Sequence, residues 1–101
     1  MPEADFRYLL ADDAELVAEL QTERGRIVKY SVVLLAREDE EWRTVRVYDN
    51  DLGEPHMHRY THGGEKKERE KTSCTTANEG YNMALECVRN GFREMIDGWM
   101  S

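Results

Sequence analysis

The chain has 101 residues, 35% of them charged and 40% hydrophobic, with a formal net charge of −7 and two cysteines. That length fits a single domain over residues 1–101, since domains cluster at roughly 100–150 residues. No apolar run approaches the roughly 18 residues of a membrane span, the acidic start lacks the basic and apolar regions of a secretory signal, and the net charge excludes nucleic-acid binding through a generally basic surface. The expected compartment is therefore the cytoplasm, with Cys74 and Cys87 as free thiols and no membrane contact.

In chain order, the first patterned segment is 15–22. Leu16, Ala18 and Leu20 alternate with Glu15, Val17, Glu19 and Gln21, a period of two that predicts a strand. A helix capped by Asp12 or Asp13 and stopped by Gly25 is the alternative. Thr22–Arg26 reads as a turn into a second strand, Ile27–Leu35, rich in β-branched residues. The charged run Arg37–Glu41 predicts a solvated hairpin loop. A third strand follows over Trp42–Tyr48, with Val45 and Val47 on one face and Thr44, Arg46 and Tyr48 on the other. Asp49–Gly53 is a turn by composition, and Pro55 favours an extended His56–Tyr60. His62-Gly63-Gly64 is another turn. Lys66–Lys71 alternates in charge without apolar residues, as an exposed edge strand or a loop would.

Tyr81, Ala84, Leu85, Val88, Phe92, Met95, Ile96 and Trp99 recur at steps of three and four, the apolar stripe of a long C-terminal helix. Thr75, Thr76 or Asn78 can cap it. Gly80, Gly91 and Gly98 each weaken it by about 1 kcal/mol relative to Ala, so packing must hold it. The expected fold class is α+β: an antiparallel sheet of about four strands with one long helix across it.

Charge and imidazole are both localised. Residues 1–41 carry five basic against eleven acidic side chains, residues 72–101 two against four, and only residues 42–71 have an excess of bases, seven against six. The same stretch holds all three histidines, His56, His58 and His62. An extended 55–60 places His56, His58 and Tyr60 on one face with Cα atoms about 6.5–7 Å apart. Two imidazoles at that spacing suit a transition metal, with Asp49 or Asp51 as an oxygen ligand, although HxH alone is short of the three or four ligands such sites use. Asp49, Asp51 and Gly53 lack the remaining pattern of a calcium loop.

The same residues also suit metal-free RNA cleavage, which requires no cofactor. His56 and His58 would be base and acid, Arg46 or Arg59 would hold the phosphate, and Tyr60 would stack or donate a proton. Asp49 completes this catalytic set, and Asn50, Arg43, Arg59 and His62 are the binding candidates around it. Trp42, Trp99 and the helical methionines read as packing residues, and Lys66–Lys71 as solvated surface. There is no glycine-rich phosphate loop and no recognisable nucleophile elbow.

The order strand, loop, strand, then Tyr48-Asp49-Asn50, Gly53, His56-x-His58-x-Tyr60 and a helix resembles the TumE-type toxins of toxin–antitoxin pairs over about residues 27–99. The resemblance implies a small α+β fold, an antitoxin or other protein partner, and RNA-directed toxicity, with Asp49, Asn50, His56, His58 and Tyr60 carried over. The chain departs from it at Gly63-Gly64 and in its first 26 residues. The competing expectation is a non-catalytic acidic binding module, of viral or mobile-element type, that occupies a partner's basic site. A homodimer is compatible with either.

Overall fold

The computed structural model describes residues 3–101. Among these the sheet has six strands rather than about four, in a simple antiparallel meander: β1 (Glu3–Ala11), β2 (Ala14–Glu23), β3 (Arg26–Glu38), β4 (Glu41–Asp49), β5 (His56–Arg59) and β6 (Glu70–Lys71), hydrogen-bonded to one another in that order. One helix, α1 (Ala77–Met100), follows. The α+β class and the single C-terminal helix are as expected. The added strands are β1, which pairs along its whole length with β2, and the two-residue β6. Residues 14–23 are strand, not helix.

Tight turns explain why the meander is continuous. The β2–β3 turn places Arg24 and Gly25 at φ 53° and 78°, the positive pair that matches strand twist in two-residue hairpins. The β3–β4 turn does the same with Asp39 and Glu40, at φ 52° and 66°. The charged run 37–41 is thus a two-residue turn with strand on both sides, not a five-residue loop. Carrying two non-glycine residues at positive φ costs strain, which the long β3–β4 ladder holds in place.

The helix covers one face of the sheet. Ala14, Leu16 and Ala18 of β2, Tyr30, Val32, Leu34 and Ala36 of β3, and Tyr48 of β4 are buried beneath Tyr81, Ala84, Val88, Ile96 and Trp99. Leu16, Leu34 and Ile96 are among the largest fully buried side chains, each contributing about 1.5–3 kcal/mol of apolar burial. Thr76 caps the helix, accepting from the Glu79 amide at 3.2 Å. A bulge in β4 departs from the expected alternation. Leu34 pairs with Arg46 but Leu35 with Thr44, so Val45 is the extra residue and joins the buried core. Val47 pairs with Val33 on the opposite, open face. Val45 and Val47 therefore do not share a side.

Three carboxylates outside the core hold elements together. Arg93 of α1 grips Asp13 of the β1–β2 turn through two 2.8 Å hydrogen bonds, which hold the Asp13 carboxyl below its ordinary range. The hydrogen bond from His62 does the same for Glu38, and those from Thr76 and Thr75 for Glu79. A carboxylate with a depressed folded pKa adds stability above its unfolded pKa and loses it as pH falls through the folded value. The denaturation midpoint should therefore drop between neutral pH and about pH 3. The drop should be smaller in Asp13→Asn, as urea titrations at the two pH values will read.

Candidate functional site

Strand register builds the site. Asp5, Glu19, Ser31, Asp49, His56 and Lys71 are directly opposite one another in succession across all six strands. They form one polar row on the face that α1 leaves open. The adjacent row on that face runs Arg7, Val17, Val33, Val47 and His58. His56 and His58, two apart in β5, thus lie side by side, with ring centroids 5.1 Å apart and planes at 87°. Asp49 reaches His56 directly across the ladder, with 2.6 Å between Oδ1 and Nε2.

Each ring is fixed by backbone. His56 Nδ1 lies 2.9 Å from the Glu54 carbonyl and His58 Nδ1 3.0 Å from the Lys67 carbonyl. A carbonyl oxygen only accepts, so both Nδ1 atoms carry hydrogen and each ring's Nε2 is left for other work. Pro55 sets up the first contact by constraining Glu54, and its own carbonyl accepts from Thr72 Oγ1 at 3.1 Å. The Asp51 amide donates to Asp49 Oδ1 at 3.1 Å, which orients the carboxylate. One ligand-capable atom from each of Asp49, His56 and His58 lies within 4.8 Å of the other two. His56 is 3% exposed and Asp49 9%, whereas His58 is half-buried. His58 is therefore the member open to a substrate.

On the β1–β3 side of Asp49 lies a cavity of about 400 Å³ lined by Asp5, Glu19, Lys29, Ser31 and Asp51 among others. On the other side runs the exposed segment carrying Lys66, Lys67, Arg69 and Lys71, interleaved with Glu65, Glu68 and Glu70. The cluster thus sits between an acidic hollow and a margin of alternating charge.

The other sequence candidates are elsewhere. Arg46 pairs with Leu34, on the face toward the helix, and its Nη1 lies 3.3 Å from the Tyr48 hydroxyl. Alternation along 46–49 is unbroken, so Arg46 shares the face of Tyr48 and not that of Asp49. Arg59 donates to Glu70 at 2.9 Å. Tyr60 lies beyond the end of β5 in an isolated bridge with Lys66. It lines a separate cavity of about 220 Å³ with Arg43, Thr44, Thr61, Gly64 and Trp99. His62 belongs to that second grouping: its Nε2 is 2.7 Å from Glu38 and its ring centroid 4.6 Å from Trp99. Arg43 reaches Glu38 and the His62 carbonyl. Trp99 Nε1 donates to Thr61 O at 3.1 Å, so Trp99 is a packing residue that anchors the helix end. Asn50 is taken up by β3: it accepts from the Tyr30 amide and donates to the Val28 carbonyl, each at 3.0 Å. Its amide thereby prolongs the β3–β4 ladder past Asp49.

The carbonyls of Glu54 and Lys67 are not legible in the sequence, because backbone acceptors leave no residue-type signal. His62 is set apart from the other two histidines in the sequence only by the Gly63-Gly64 turn beside it.

Fold and cluster together define the class: a small α+β domain, a meander sheet backed by one helix, with two histidines and an aspartate converging on the open face. The chain belongs to the family described as Domain of unknown function (DUF7718), whose model matches residues 1–100. Neither the curated proteins nor the solved structures give a match to this chain. Among the described residues, no helix is long and apolar enough to cross a membrane.

Proposed function

We propose that this chain acts on RNA phosphodiesters through the open sheet face around His58, as a TumE-like toxin component held by a protein partner. The observation that carries the reading is the convergence of Asp49, His56 and His58, with both imidazoles pre-oriented by backbone carbonyls. Such fixed groups need no reorganisation when substrate arrives. The resemblance through Tyr48-Asp49-Asn50 and His56-x-His58 supplies the substrate class. The lysines of the charged margin supply the approach, since Lys71 is directly opposite His56 and the Lys67 backbone holds His58. Phosphates drawn to that margin would come to rest beside the half-buried imidazole.

Expression of the wild type should arrest growth, and the purified chain should cut single-stranded RNA. His58→Ala should lower cleavage by about 10²-fold or more, the usual worth of one positioned catalytic group. Lys67→Glu with Lys71→Glu should weaken RNA binding most at low salt. If His58→Ala stays toxic and cuts RNA at the wild-type rate, this reading is wrong.

One observation favours a second reading, the non-catalytic acidic module. The 400 Å³ cavity is lined by Asp5, Glu19, Asp49 and Asp51 against the single cation Lys29, which suits a basic segment of a partner protein. On that reading Asp5→Lys with Glu19→Lys abolishes partner capture and neutralisation of growth arrest plays no part, while His58→Ala changes neither.

A further inference from the structure

The geometry points to a divalent transition-metal site of the zinc class formed by Asp49, His56 and His58, with at least one position open to solvent or substrate. The metal deepens the RNA reading by naming the cation of that same site; its binding, however, stands on the ligand geometry alone.

Four observations carry it. The three donor atoms lie within 4.8 Å of one another, so a single ion about 2.0–2.2 Å from each can be enclosed after a small adjustment. Each imidazole gives its Nδ1–H to a backbone carbonyl, at 2.9 and 3.0 Å, the outer-shell arrangement that fixes tautomer and ring plane in metal-bound histidines. The carboxylate is likewise oriented, by the Asp51 amide. Finally, a carboxylate–imidazole pair without metal accounts for His56 but not for His58. Among the described residues no hydrogen bond engages His58 Nε2, although its ring is steered edge-to-face against His56.

Chemistry and charge agree with the geometry. Two neutral imidazoles and a carboxylate are a borderline-soft donor set suited to zinc-class ions rather than calcium or magnesium, which require more oxygen ligands. Three protein ligands with a vacant position are the pattern of catalytic, not structural, zinc sites. The polar row adds Glu19 and Asp5 beyond Asp49, so the approach from the hollow favours a cation. The inference also answers a need. Arg46 lies on the other face and Arg59 is engaged by Glu70, so neither of the two expected arginines neutralises an anionic phosphoryl centre at the cluster. A bound dication supplies that charge. Binding replaces the hydrogen shared between His56 Nε2 and Asp49 Oδ1 with the ion, and that proton leaves to solvent.

The test needs no RNA. Chelator-treated protein is titrated with Co²⁺, read by its visible d–d absorption, and the Co²⁺ complex is then titrated with Zn²⁺. One Co²⁺ per chain should give the intense bands of four- or five-coordination, and one Zn²⁺ should bleach them. His58→Ala, at a half-buried position that tolerates truncation, should weaken Co²⁺ binding by at least roughly tenfold, since even outer-shell changes cost 10–100-fold. A cooperative melting curve in chelator, lowered by no more than roughly 5 °C, would show that it folds. His62→Ala, which removes the imidazole of the other grouping, should bind Co²⁺ as the wild type does. Absence of a one-to-one Co²⁺ spectrum, or equal Co²⁺ affinity of wild type and His58→Ala, overturns the site. Because RNA is absent from this assay, stoichiometric binding by a protein that cuts no RNA rejects the substrate and keeps the metal.

Discussion

Gly80→Ala should destabilise the fold by about 3 kcal/mol, at the upper end for an added core methyl group, and lower the melting temperature by roughly 15 °C. On propensity alone the change should help, because Ala is better than Gly in a helix by about 1 kcal/mol. Packing overrules propensity. A Cβ at Gly80 would sit 2.2 Å from the Tyr30 hydroxyl and 2.9 and 3.0 Å from Pro55 Cβ and Cγ. Neither neighbour can move freely. Tyr30 is 3% exposed, and burial pushes its hydroxyl pKa up to about 12; Pro55 leads directly into the histidine strand. The glycine therefore lets the first turn of α1 close over the base of the site. Gly98, with nothing within 4 Å of its virtual Cβ, is the internal control: Gly98→Ala should be neutral or stabilising by up to about 1 kcal/mol. In a Tyr30→Phe background the Gly80→Ala loss should shrink, because the hydroxyl contact is gone, but not vanish, because Pro55 remains. Urea denaturation of the wild type, Gly80→Ala, Tyr30→Phe and the double variant closes the cycle.

That result bears on how far the chain could be read without its structure. Helical spacing marks the α1 stripe, with Thr76 among its candidate caps; alternation marks β2 and β4, β-branched residues mark β3, and Pro55 marks β5. The glycine count in α1 reads as a set of equal costs, whereas contact with Tyr30, fifty residues earlier, makes Gly80 a requirement. Such contacts are not encoded in local pattern. β1 is a different case. Ala4, Phe6, Tyr8 and Leu10 alternate with Asp5, Arg7 and Leu9, a strand signal of period two.

The site divides in the same way. Asp49, His56 and His58 come together because HxH in a strand shares a face and a hairpin partner lies opposite. The arginines fail for a reason that alternation itself contains: Arg46 is three residues from Asp49 and Arg59 one from His58, and the two pair with each other across the ladder, so both lie on the face opposite the imidazoles. The expected partnership of Tyr60 with the two imidazoles presupposed a strand of five residues. β5 ends at Arg59, and the next turn takes Tyr60 and His62 to the helix end. No periodicity argument reaches that far.

The two clustered histidines should separate stability from function. His56→Ala removes one partner of a buried pair and leaves Asp49 facing a void, an arrangement that costs about 3–5 kcal/mol. The Glu54 carbonyl also loses its donor. His58→Ala removes a half-buried ring with one hydrogen bond to a backbone carbonyl and should cost about 1 kcal/mol. Urea denaturation in chelator should show the large loss for His56→Ala alone. Adding Zn²⁺ should then raise the melting temperature of the wild type, because an ion that binds only the folded state stabilises it by mass action, by about 2.7 kcal/mol at a hundredfold excess over its Kd. His58→Ala should lose most of that rise, with a metal-free melting temperature only roughly 5 °C below that of the wild type. Equal destabilisation by the two alanines would mean that both rings are structural. A Zn²⁺-induced rise that survives His58→Ala would place the ion elsewhere on the chain. The predicted pattern, a fold that needs His56 and a ligand response that needs His58, assigns the first ring to holding the carboxylate and the second to meeting what binds there.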